Sequence, residues 1–543
     1  MENGRQIRWN GWGPRNAAPP ESFWRWLAGA LSMPALLATP PRAFADMALP
    51  PVRLPGETLQ KFAAFGIRRD DEARVRHAAG RSLTDLLRLR AGDISTAPDG
   101  VLYPRSEFEV LAVLALCAEL DIAVVPFGGG TSLVGGVTPP GDRPSLAMDM
   151  TRMDRVTSLD AMSGLAVAEA GITGPELERQ LGARGMMLGH RPDSFEYSTL
   201  GGWIAHAGSG QDAARYGRAA DWLAGLRVAT PAGLFTARET PASALGPDLK
   251  QLMLGSDGIL GVITSASLRV RALPAAEDWR GYVFPDFASG LAAIREAQRQ
   301  GLPHAMLRLS DATHTRLHQA LDRARHPFDA RRMATDAWLR LRGFDHKACL
   351  LTAGFAGRTG EVARGRKGFD ALARRMEAAR LGAQPRWPTE RYGAPYLRDV
   401  LLDRGLGHDA IEVSANWATL PGLYAALRHA LQRAMRDHVP RAGAQGLVLA
   451  HTANAYPDGA ALNVSWIYPR LLEDDLAQAA AIRAAALDAV TEAGGSISHA
   501  WGTGSAYRGR MEAEKSAQGV AALAAVKQAL DPRGILNPGK LLP

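Results

Sequence analysis

Cysteine is scarce in this 543-residue chain, which contains two, Cys117 and Cys349, and no Cys-x-x-Cys pair. Two distant thiols in apolar contexts support neither a disulfide framework nor a structural zinc site, so we expect a reducing, cytoplasmic environment and no metal. No apolar run approaches the roughly 20 residues of a membrane-spanning helix. Lysine and arginine form no run interleaved with aromatic residues, so the formal net charge of +8 does not predict binding to nucleic acid.

A convincing signal peptide is also lacking. Residues 26–38 are apolar and are followed at 43–45 by Ala-Phe-Ala, which resembles a signal-peptidase site. However, Pro34 interrupts the apolar run, and Arg42 stands just before the supposed cleavage point. We therefore predict an amphipathic helix that begins at the N-cap Ser22, with a cleaved signal as the alternative. The residues predicted for its apolar face are Phe23, Trp26, Leu27 and Leu31.

Glycine, in contrast, is abundant, and its densest cluster lies in residues 124–137, VVPFGGGTSLVGGV. Glycine lets another backbone or a ligand come close, and consecutive N–H groups in such a turn form a nest that binds anions such as a pyrophosphate. A Walker P-loop is excluded because no lysine follows the second glycine group. A G-x-G-x-x-G motif is excluded because Leu133 stands where glycine is required.

The surrounding chain has an alternating strand and helix pattern. Residues 74–90 are helical in period, and residues 101–126 predict a strand, a helix capped by Ser106 and a second strand that leads into the glycine-rich loop. Further strands are predicted at 146–149 and 165–170, and a helix at 174–184. Two more clusters of glycine and hydroxyl residues, at 192–210 and 255–263, indicate one extended ligand held at several points. A dinucleotide has that shape.

Four segments carry a resemblance to a known family: PFGGGTS at 126–132, AGITGPELERQL at 170–181, GHRPDSFEYSTLGGW at 189–203 and GSDGILGVIT at 255–264. They are similar to the FAD-binding domain of the vanillyl-alcohol-oxidase family of flavoproteins. Together with RWNGWG at 8–13, they are most similar to the ether-lipid enzymes of that family, and the similarity runs nearly end to end. The C-terminal half matches more loosely.

The resemblance implies an α+β fold with a two-part FAD-binding domain of the vanillyl-alcohol-oxidase (PCMH) type. It also implies a cap or substrate domain built on an antiparallel sheet with helices. We expect an N-terminal helical region at 1–95, the FAD-binding domain at 96–273, the cap domain at 274–495 and a C-terminal segment at 496–543 that returns to the FAD site. In the cap, we predict a strand at 279–286 and a helix at 287–300.

FAD is the implied cofactor. The glycine-rich loop contains no histidine or cysteine, so we expect FAD to be bound non-covalently. The residues expected to hold its pyrophosphate are Pro126, Phe127, Gly128, Gly129, Gly130, Thr131 and Ser132. Those expected to surround the rest of FAD are Pro192, Asp193, Ser194, Phe195, Glu196, Tyr197, Ser198, His206, Ala207, Gly208, Ser209, Asp257, Gly258, Ile259, Leu260, Gly261, Val262 and Ile263.

Two arginines are implied to bind the anionic part of the substrate. Arg308 lies in the apolar segment 306–309 and resembles the family's R-L-x-D pattern, in which Asp311 is also a candidate. The alternative for this pair is a structural Arg308–Asp311 ion pair. Arg398 lies in Tyr-Leu-Arg-Asp at 396–399, and its planar fork of donors suits a phosphate or a carboxylate.

The implied catalytic residues are Tyr456 and His499. Tyr456 opens the segment YPDGA, which resembles the family's Y-x-x-G-A, whose tyrosine acts in acid–base chemistry beside the flavin. A structural tyrosine at a strand end is the alternative. The ether-lipid enzymes have three consecutive histidines where this chain retains His499 and has Ala500 and Trp501. In the tail, Asn537 and Lys540 are expected near the flavin.

Two functions remain open. The resemblance implies that the acyl chain of acyl-dihydroxyacetone phosphate is exchanged for a fatty alcohol, in ether-lipid biosynthesis. The altered histidine segment favours instead an FAD-linked oxidase or dehydrogenase acting on a hydroxy acid or alcohol. We favour the first because the similarity spans the whole chain. In either case, we expect a small, lipid-like anionic substrate, a homodimer, and peripheral association with anionic membranes.

Overall fold

The structure is a computed structural model that describes residues 7–13 and 18–543. Its N-terminal part contains four helices: α1 (Glu21–Ala30), α2 (Gly56–Lys61), α3 (Asp71–Arg76) and α4 (Leu83–Ala91). The predicted N-cap is wrong, because Pro20 already has the extended backbone of a capping residue and places Ser22 inside the first turn. The predicted helix itself is confirmed, with Phe23, Leu27 and Leu31 buried and Trp26 partly buried.

The single helical period predicted for residues 74–90 is divided between α3 and α4. The chain turns at Gly80, where an added Cβ would lie 2.6 Å from the carbonyl oxygen of Ser132. Ser82 then caps α4 by accepting a hydrogen bond from the Asp85 amide. A contact with a distant loop therefore interrupts a pattern that is locally helical.

The next part carries the glycine-rich loop. Its strands are β1 (Gly100–Leu102), β2 (Ala123–Phe127), β3 (Ser145–Asp149), β4 (Val156–Asp160), β5 (Leu165–Glu169), β6 (Met186–Met187), β7 (Leu223–Thr230), β8 (Gly233–Ala237), β9 (Val262–Arg269) and β10 (Arg271–Ala272). Its helices are α5 (Glu107–Glu119), α6 (Gly174–Gly182), α7 (Leu200–Ala205), α8 (Ala213–Tyr216) and α9 (Ala219–Trp222). The strands and helices predicted between residues 101 and 184 are confirmed to within one or two residues at their ends.

The glycine-rich loop leaves the edge strand of a small parallel sheet. This sheet has the order β1-β3-β2, and α5 connects the parallel strands β1 and β2, which confirms the predicted unit. Ser106 caps α5 as predicted, because its hydroxyl accepts a hydrogen bond from the Glu109 amide at 3.2 Å. An antiparallel sheet of order β4-β5-β9-β7-β8 completes this two-part unit.

The third part is the cap. Its strands are β11 (Ala276–Phe284), β12 (Met306–Leu309), β13 (Cys349–Gly357), β14 (Ala379–Ala383), β15 (Leu406–Asn416), β16 (Leu447–Ala455) and β17 (Gly459–Pro469). Its helices are α10 (Phe287–Arg299), α11 (Ala312–Arg325), α12 (Ala330–Leu341), α13 (Thr359–Arg375), α14 (Trp387–Glu390), α15 (Ala394–Leu402), α16 (Leu420–Asp437) and α17 (Asp475–Glu492). The strand and helix predicted at 279–300 correspond to β11 and α10.

Two antiparallel sheets form the cap, with orders β12-β13-β11-β14 and β15-β17-β16. Their edges meet at a bridge between Ser310 and His451, where the Asp311 amide donates to the Ala450 carbonyl at 2.8 Å. The largest buried apolar cluster lies between these sheets and helices α10, α13, α16 and α17. The predicted α+β class with an antiparallel cap is confirmed.

The chain ends with helix α18 (Met511–Leu530) and a tail that returns to β2. The Val124 amide donates to the Ile535 carbonyl, and the Asn537 amide donates to the Val124 carbonyl, both at 2.8 Å. The tail therefore adds a partner to the edge strand that precedes the glycine-rich loop. Across the residues that the structure describes, no helix combines the length and the apolar character needed to cross a membrane.

Candidate active site

A cavity of about 640 Å³ lies between the glycine-rich unit and the cap. The predicted cofactor residues that line it are Pro126, Phe127, Gly128, Gly129, Gly130, Thr131, Ser132, Pro192, Asp193, Ser194, Ser198, His206, Gly208, Ser209, Asp257, Gly258, Gly261, Val262 and Ile263. The predicted cofactor residues outside its lining are Phe195, Glu196, Tyr197, Ala207, Ile259 and Leu260. Three distant segments of the chain thus form one wall.

The glycine-rich loop is packed tightly against the loop at 197–199. A Cβ added to Gly129 would lie 2.0 Å from the carbonyl oxygen of Tyr197, and one added to Gly128 would lie 2.2 Å from the Thr199 hydroxyl. Gly130 has a positive φ of 65°. These glycines therefore permit the close approach of two protein segments, and the remaining face of the loop borders the cavity.

Two buried polar side chains along this wall have spare hydrogen-bonding capacity. Asp257 is buried, and its Oδ2 accepts hydrogen bonds from the amides of Thr503 and Gly504 at 2.8 and 2.7 Å. Its Oδ1 lies 3.4 Å from Nε2 of His206, and neither that Oδ1 nor the Nε2 of His190 makes a hydrogen bond within residues 7–13 and 18–543. Burial raises the pKa of Asp257. A glycine-lined wall with unpartnered donors and acceptors fits a dinucleotide such as FAD.

The two tail residues expected beside the flavin lie behind this wall. Asn537 donates from Nδ2 to the carbonyls of Asp257 and Gly136, at 2.6 and 2.9 Å. Lys540 donates to the Thr138 carbonyl at 2.9 Å, and burial lowers the pKa of Lys540 to about 8. Neither residue lines the cavity. They attach the tail to the loops that do.

Tyr456 and His499, the predicted catalytic pair, are in direct contact. The Tyr456 hydroxyl lies 2.6 Å from Nε2 of His499, and Nδ1 of His499 lies 2.8 Å from Oε1 of Glu412. Glu412 lines the cavity, as do Ala500 and Trp501, whereas Tyr456 and His499 do not, and the hydrogen bonds through Glu412 connect them to it. Burial raises the pKa of Tyr456 to about 12. The structure therefore places a three-residue hydrogen-bonded chain at the cavity wall.

Sequence reasoning missed Glu412. It lies on β15 between the buried residues Ile411 and Val413, and a carboxylate within an apolar strand was the available signal. The β15–β17 register pairs Glu412 with Asn463, and β17 pairs Asn463 with His451 of β16. These three polar residues form one row across the sheet that faces the cavity.

Arg308 faces the cavity and does not pair with Asp311. Its nearest acidic oxygen is Oδ1 of Asp193 at 3.8 Å, and its guanidinium lies over the Trp387 ring at 5.7 Å. Asp311 instead accepts hydrogen bonds from Arg428 at 2.8 Å and Tyr424 at 2.9 Å. Asp311 does not line the cavity. The alternative of an Arg308–Asp311 ion pair is therefore wrong.

Arg398 enters the cavity from α15 and is buried. Its Nε makes no hydrogen bond in the part of the chain that the structure describes. Burial lowers the pKa of Arg398, and the negative charges of Asp399 and Asp409 partly offset this effect. Arg308 lies on strand β12, so the two arginines reach the cavity from different elements. Both are available to an anionic ligand.

The RWNGWG segment holds the helix that carries Arg398. Oδ2 of Asp399 accepts hydrogen bonds from the Arg8 guanidinium at 2.6 Å and the Trp12 amide at 2.5 Å. Arg81, which is fully buried, donates to the carbonyls of Gly11 and Arg8 at 2.9 and 2.8 Å. The segment thus links α15 to the turn before α4.

Comparison with known proteins identifies the class first. Residues 98–237 match the FAD binding domain family, and residues 273–541 match the C-terminal domain of FAD linked oxidases. The fold is similar to that of p-cresol methylhydroxylase, with a TM-score of 0.70 at 15% identity over 91% of this chain and 98% of that chain. The protein is an FAD-dependent enzyme with a PCMH-type fold.

The particular family follows from longer matches. The chain is 31% identical to the alkyldihydroxyacetonephosphate synthase of Dictyostelium discoideum, over 99% of this chain and 94% of that protein. A solved alkyldihydroxyacetonephosphate synthase structure superposes with a TM-score of 0.85 at 29% identity, covering 99% of both chains. The chain belongs to the alkyldihydroxyacetonephosphate synthase family. The oxidase alternative is less well supported, because this similarity extends over the whole chain.

Proposed function

We propose that this enzyme exchanges the acyl chain of acyl-dihydroxyacetone phosphate for a fatty alcohol and releases a fatty acid. The observation that carries the proposal is the hydrogen-bonded chain of Tyr456, His499 and Glu412 at a cavity that also receives Arg308 and Arg398. When bound, FAD supplies an isoalloxazine ring that can exchange an electron pair with a substrate carbon. The residues of the chain bind the substrate and move its protons.

The protonation of the Tyr456 chain follows from its hydrogen bonds. An ionised Glu412 can only accept, so Nδ1 of His499 carries the hydrogen and Nε2 is left as an acceptor for the Tyr456 hydroxyl. Because its pKa is raised to about 12, Tyr456 is a phenol rather than a phenolate at neutral pH. Because the hydroxyl hydrogen of Tyr456 is directed at Nε2 of His499, the pair can take up a proton from the substrate, with His499 as an imidazolium beside Glu412, and the reverse transfer returns that proton.

The cavity provides for both ends of the substrate. Arg308 and Arg398 can pair with the phosphate, and a guanidinium suits its oxygens. The apolar side chains that line the cap side of the cavity include Leu317, Leu321, Leu350, Leu397 and Leu449. They can accommodate an alkyl or acyl chain.

The non-covalent attachment of FAD stays a prediction, which acid precipitation tests. Free FAD is expected in the supernatant, and a yellow pellet would contradict non-covalent attachment.

We also propose that the enzyme works at a membrane surface in the cytoplasm. Phe328, Met333 and Leu341, on and beside α12, are 93, 58 and 89% exposed. Arginines at 331, 332, 340 and 342 surround them. Helix α11 precedes this segment, and its Leu321 and Arg325 line the cavity. An apolar and basic surface beside the substrate cavity suits binding to an anionic lipid surface.

The expected homodimer also stays a prediction, which sedimentation velocity tests.

The activity is tested with the purified holoenzyme, acyl-dihydroxyacetone phosphate and a long-chain alcohol. We expect mass spectrometry to find alkyl-dihydroxyacetone phosphate and one equivalent of fatty acid. In parallel, the enzyme is incubated anaerobically with a panel of hydroxy acids. The absorbance of oxidised flavin, at about 450 nm, should not change. Bleaching without ether product would favour the oxidase instead.

A further inference from the structure

Three histidines meet on the cap side of the cavity. His314 and His318 lie one turn apart on α11, with stacked rings whose centroids are 4.5 Å apart. The His451 ring, from β16, lies 5.1 Å from that of His314. The bridge between Ser310 and His451 brings β12 alongside β16, so that Arg308 stands next to this group. All of these side chains line the cavity.

The histidines have hydrogen-bonding capacity that the protein does not use. Nδ1 of His451 is buried and makes no hydrogen bond to any of the described residues, and Nδ1 of His314 is buried near the Ala450 backbone without a hydrogen bond of normal geometry. His451 as a whole is only 5% exposed. Buried polar atoms without partners are rare in folded proteins, and at a cavity wall they indicate a ligand. The group is not a metal site, since no cluster with that geometry occurs in residues 7–13 or 18–543.

The charges around the histidines favour an anion. Arg308 is near all three histidines, and Arg325 and His408 line the same cavity. Four acidic residues also line it: Asp193, 3.8 Å from Arg308, Asp322, Glu390, and Glu412, which is engaged by His499. Burial and the neighbouring cations keep the pKa values of all three histidines below their ordinary value. The group thus combines neutral imidazoles with a buried guanidinium.

We propose that His314, His318 and His451, together with Arg308, bind the phosphate of the substrate as a dianion. This proposal rests on the proposed function, which supplies the phosphate monoester, and assigns to it a subsite built from α11, β12 and β16. Neutral imidazoles can donate to phosphate oxygens, and they gain protons when the dianion enters. Ala500 and Trp501 contribute no imidazole to the cavity, whereas α11 and β16 contribute three.

The subsite has a defined pH dependence. A dianion raises the pKa of each bound histidine, so binding takes up protons and must weaken as pH rises. The second pKa of a phosphate monoester is about 6, so the substrate keeps a constant charge between about pH 7 and 9. Over that range, we expect the KM for acyl-dihydroxyacetone phosphate to rise with pH while the KM for the fatty alcohol stays constant.

Kinetics of the His314→Gln/His451→Gln holoenzyme test the subsite. We expect the KM for acyl-dihydroxyacetone phosphate to increase about 10- to 100-fold, the effect of losing charge-assisted hydrogen bonds, and its rise with pH to become shallower. The KM for the alcohol should not change. His429→Gln, on the exposed face of α16, is the matched control and should behave as the wild type. An unchanged KM for the phosphate substrate, or an equal increase for both substrates, would overturn the proposal.

Calorimetry separates the subsite from the overall reaction. Dihydroxyacetone phosphate is titrated into the holoenzyme at pH 7.5 in buffers of different ionisation enthalpy, with decanoate as a second probe. We expect net proton uptake with the phosphate probe, and a smaller uptake in His314→Gln/His451→Gln and in His318→Gln, since each variant removes only part of the histidine group. This result would stand even if no ether product were formed. Proton uptake with decanoate alone would assign the histidines to the fatty carboxylate and contradict the proposal.

Discussion

Each hydrogen bond in the chain from Glu412 through His499 to Tyr456 fixes the orientation of the next group. Because the chain is continuous, we expect its members to act as one unit. Tyr456→Phe should keep FAD and lose about 10²–10⁴-fold in turnover, the usual cost of a missing general acid or base. Glu412→Gln should lose at least about tenfold, since an amide can present its NH₂ group to Nδ1 and so favour the wrong tautomer of His499.

The double variants decide whether these residues act together. For one unit, Tyr456→Phe/His499→Ala is little slower than either single variant. Multiplicative losses would show independent roles. Tyr103→Phe removes a hydroxyl outside the cavity and serves as the control. Near-full turnover of Tyr456→Phe with acyl-dihydroxyacetone phosphate would remove Tyr456 from the reaction.

Gly129 permits another prediction at this scale. In Gly129→Val, the Cβ would lie 2.0 Å from the Tyr197 carbonyl, so the two loops that border the cofactor wall must separate. We expect FAD content, measured by the ratio of flavin to protein absorbance, to fall to a small fraction of the wild-type value. Gly360→Val meets no atom within 4 Å and is the control. Full FAD content in Gly129→Val would show that this contact is dispensable.

Single residues differ in how far the sequence reveals them. The glycines stand in a short motif whose chemistry is local, and Arg308 and Arg398 stand in segments that resemble those of the family, so all of them could be proposed from the sequence. Glu412 and Arg81 could not, because their partners lie far along the chain. His314 and His451 meet only when β12 is placed beside β16.

At the scale of elements, the RWNGWG segment positions α15. Asp399 is 1% exposed and accepts from both Arg8 and Trp12. We expect Asp399→Asn to lower the free energy of unfolding by about 1–3 kcal/mol, because it weakens charge-assisted bonds at a buried site. The KM for the anionic substrate should also rise as Arg398 becomes less well held. Denaturant unfolding and steady-state kinetics measure the two effects.

A double-mutant cycle provides the control for that pair. If Arg8 and Asp399 stabilise the protein through their contact, Arg8→Ala should cost little more in the Asp399→Asn background. Strictly additive losses would mean that the two residues act separately. Arg69→Ala, on the exposed surface of the same N-terminal part, should leave both stability and KM unchanged.

The surface around α12 is tested with vesicles. Phe328→Ser/Leu341→Ser removes two apolar side chains that the fold leaves exposed. We expect this variant to lose most of its co-sedimentation with vesicles containing anionic lipid, while its activity on short-chain, soluble substrates is retained. Leu245→Ser changes a side chain that is 95% exposed on the other unit and is the control. Equal sedimentation of both variants would contradict a docking role for this segment.

Element boundaries show where local reasoning ends. The period of residues 74–90 predicts one helix, yet two separate helices form. The buried Arg81 and the close contact of Gly80 with Ser132 lie between them. Helix α1 also begins earlier than the predicted N-cap Ser22, because Pro20 has the backbone conformation of a cap without a side-chain hydrogen bond. Elements whose signals are local, such as α5 with its Ser106 cap, were predicted correctly.

For the whole molecule, the sequence predicts the class of fold better than its connections. Alternating strands and helices and three glycine clusters indicate the FAD-binding unit, and family resemblance adds the antiparallel cap. The pairing of the cap sheets is set by contacts between residues more than a hundred positions apart, such as Ser310 with His451. No local sequence pattern predicts this contact between the two sheets, although the contact determines which histidines face the cavity.

The pairing of the tail with β2 also affects how the protein is made. Translation delivers the glycine-rich loop long before residues 535–537, yet the amide and carbonyl of Val124 find their partners in that tail. Until that segment emerges from the ribosome, the edge of the parallel sheet lacks these bonds, and an open edge invites pairing with other nascent chains. The cofactor pocket therefore matures late, and a premature stop codon before residue 535 leaves that edge uncovered.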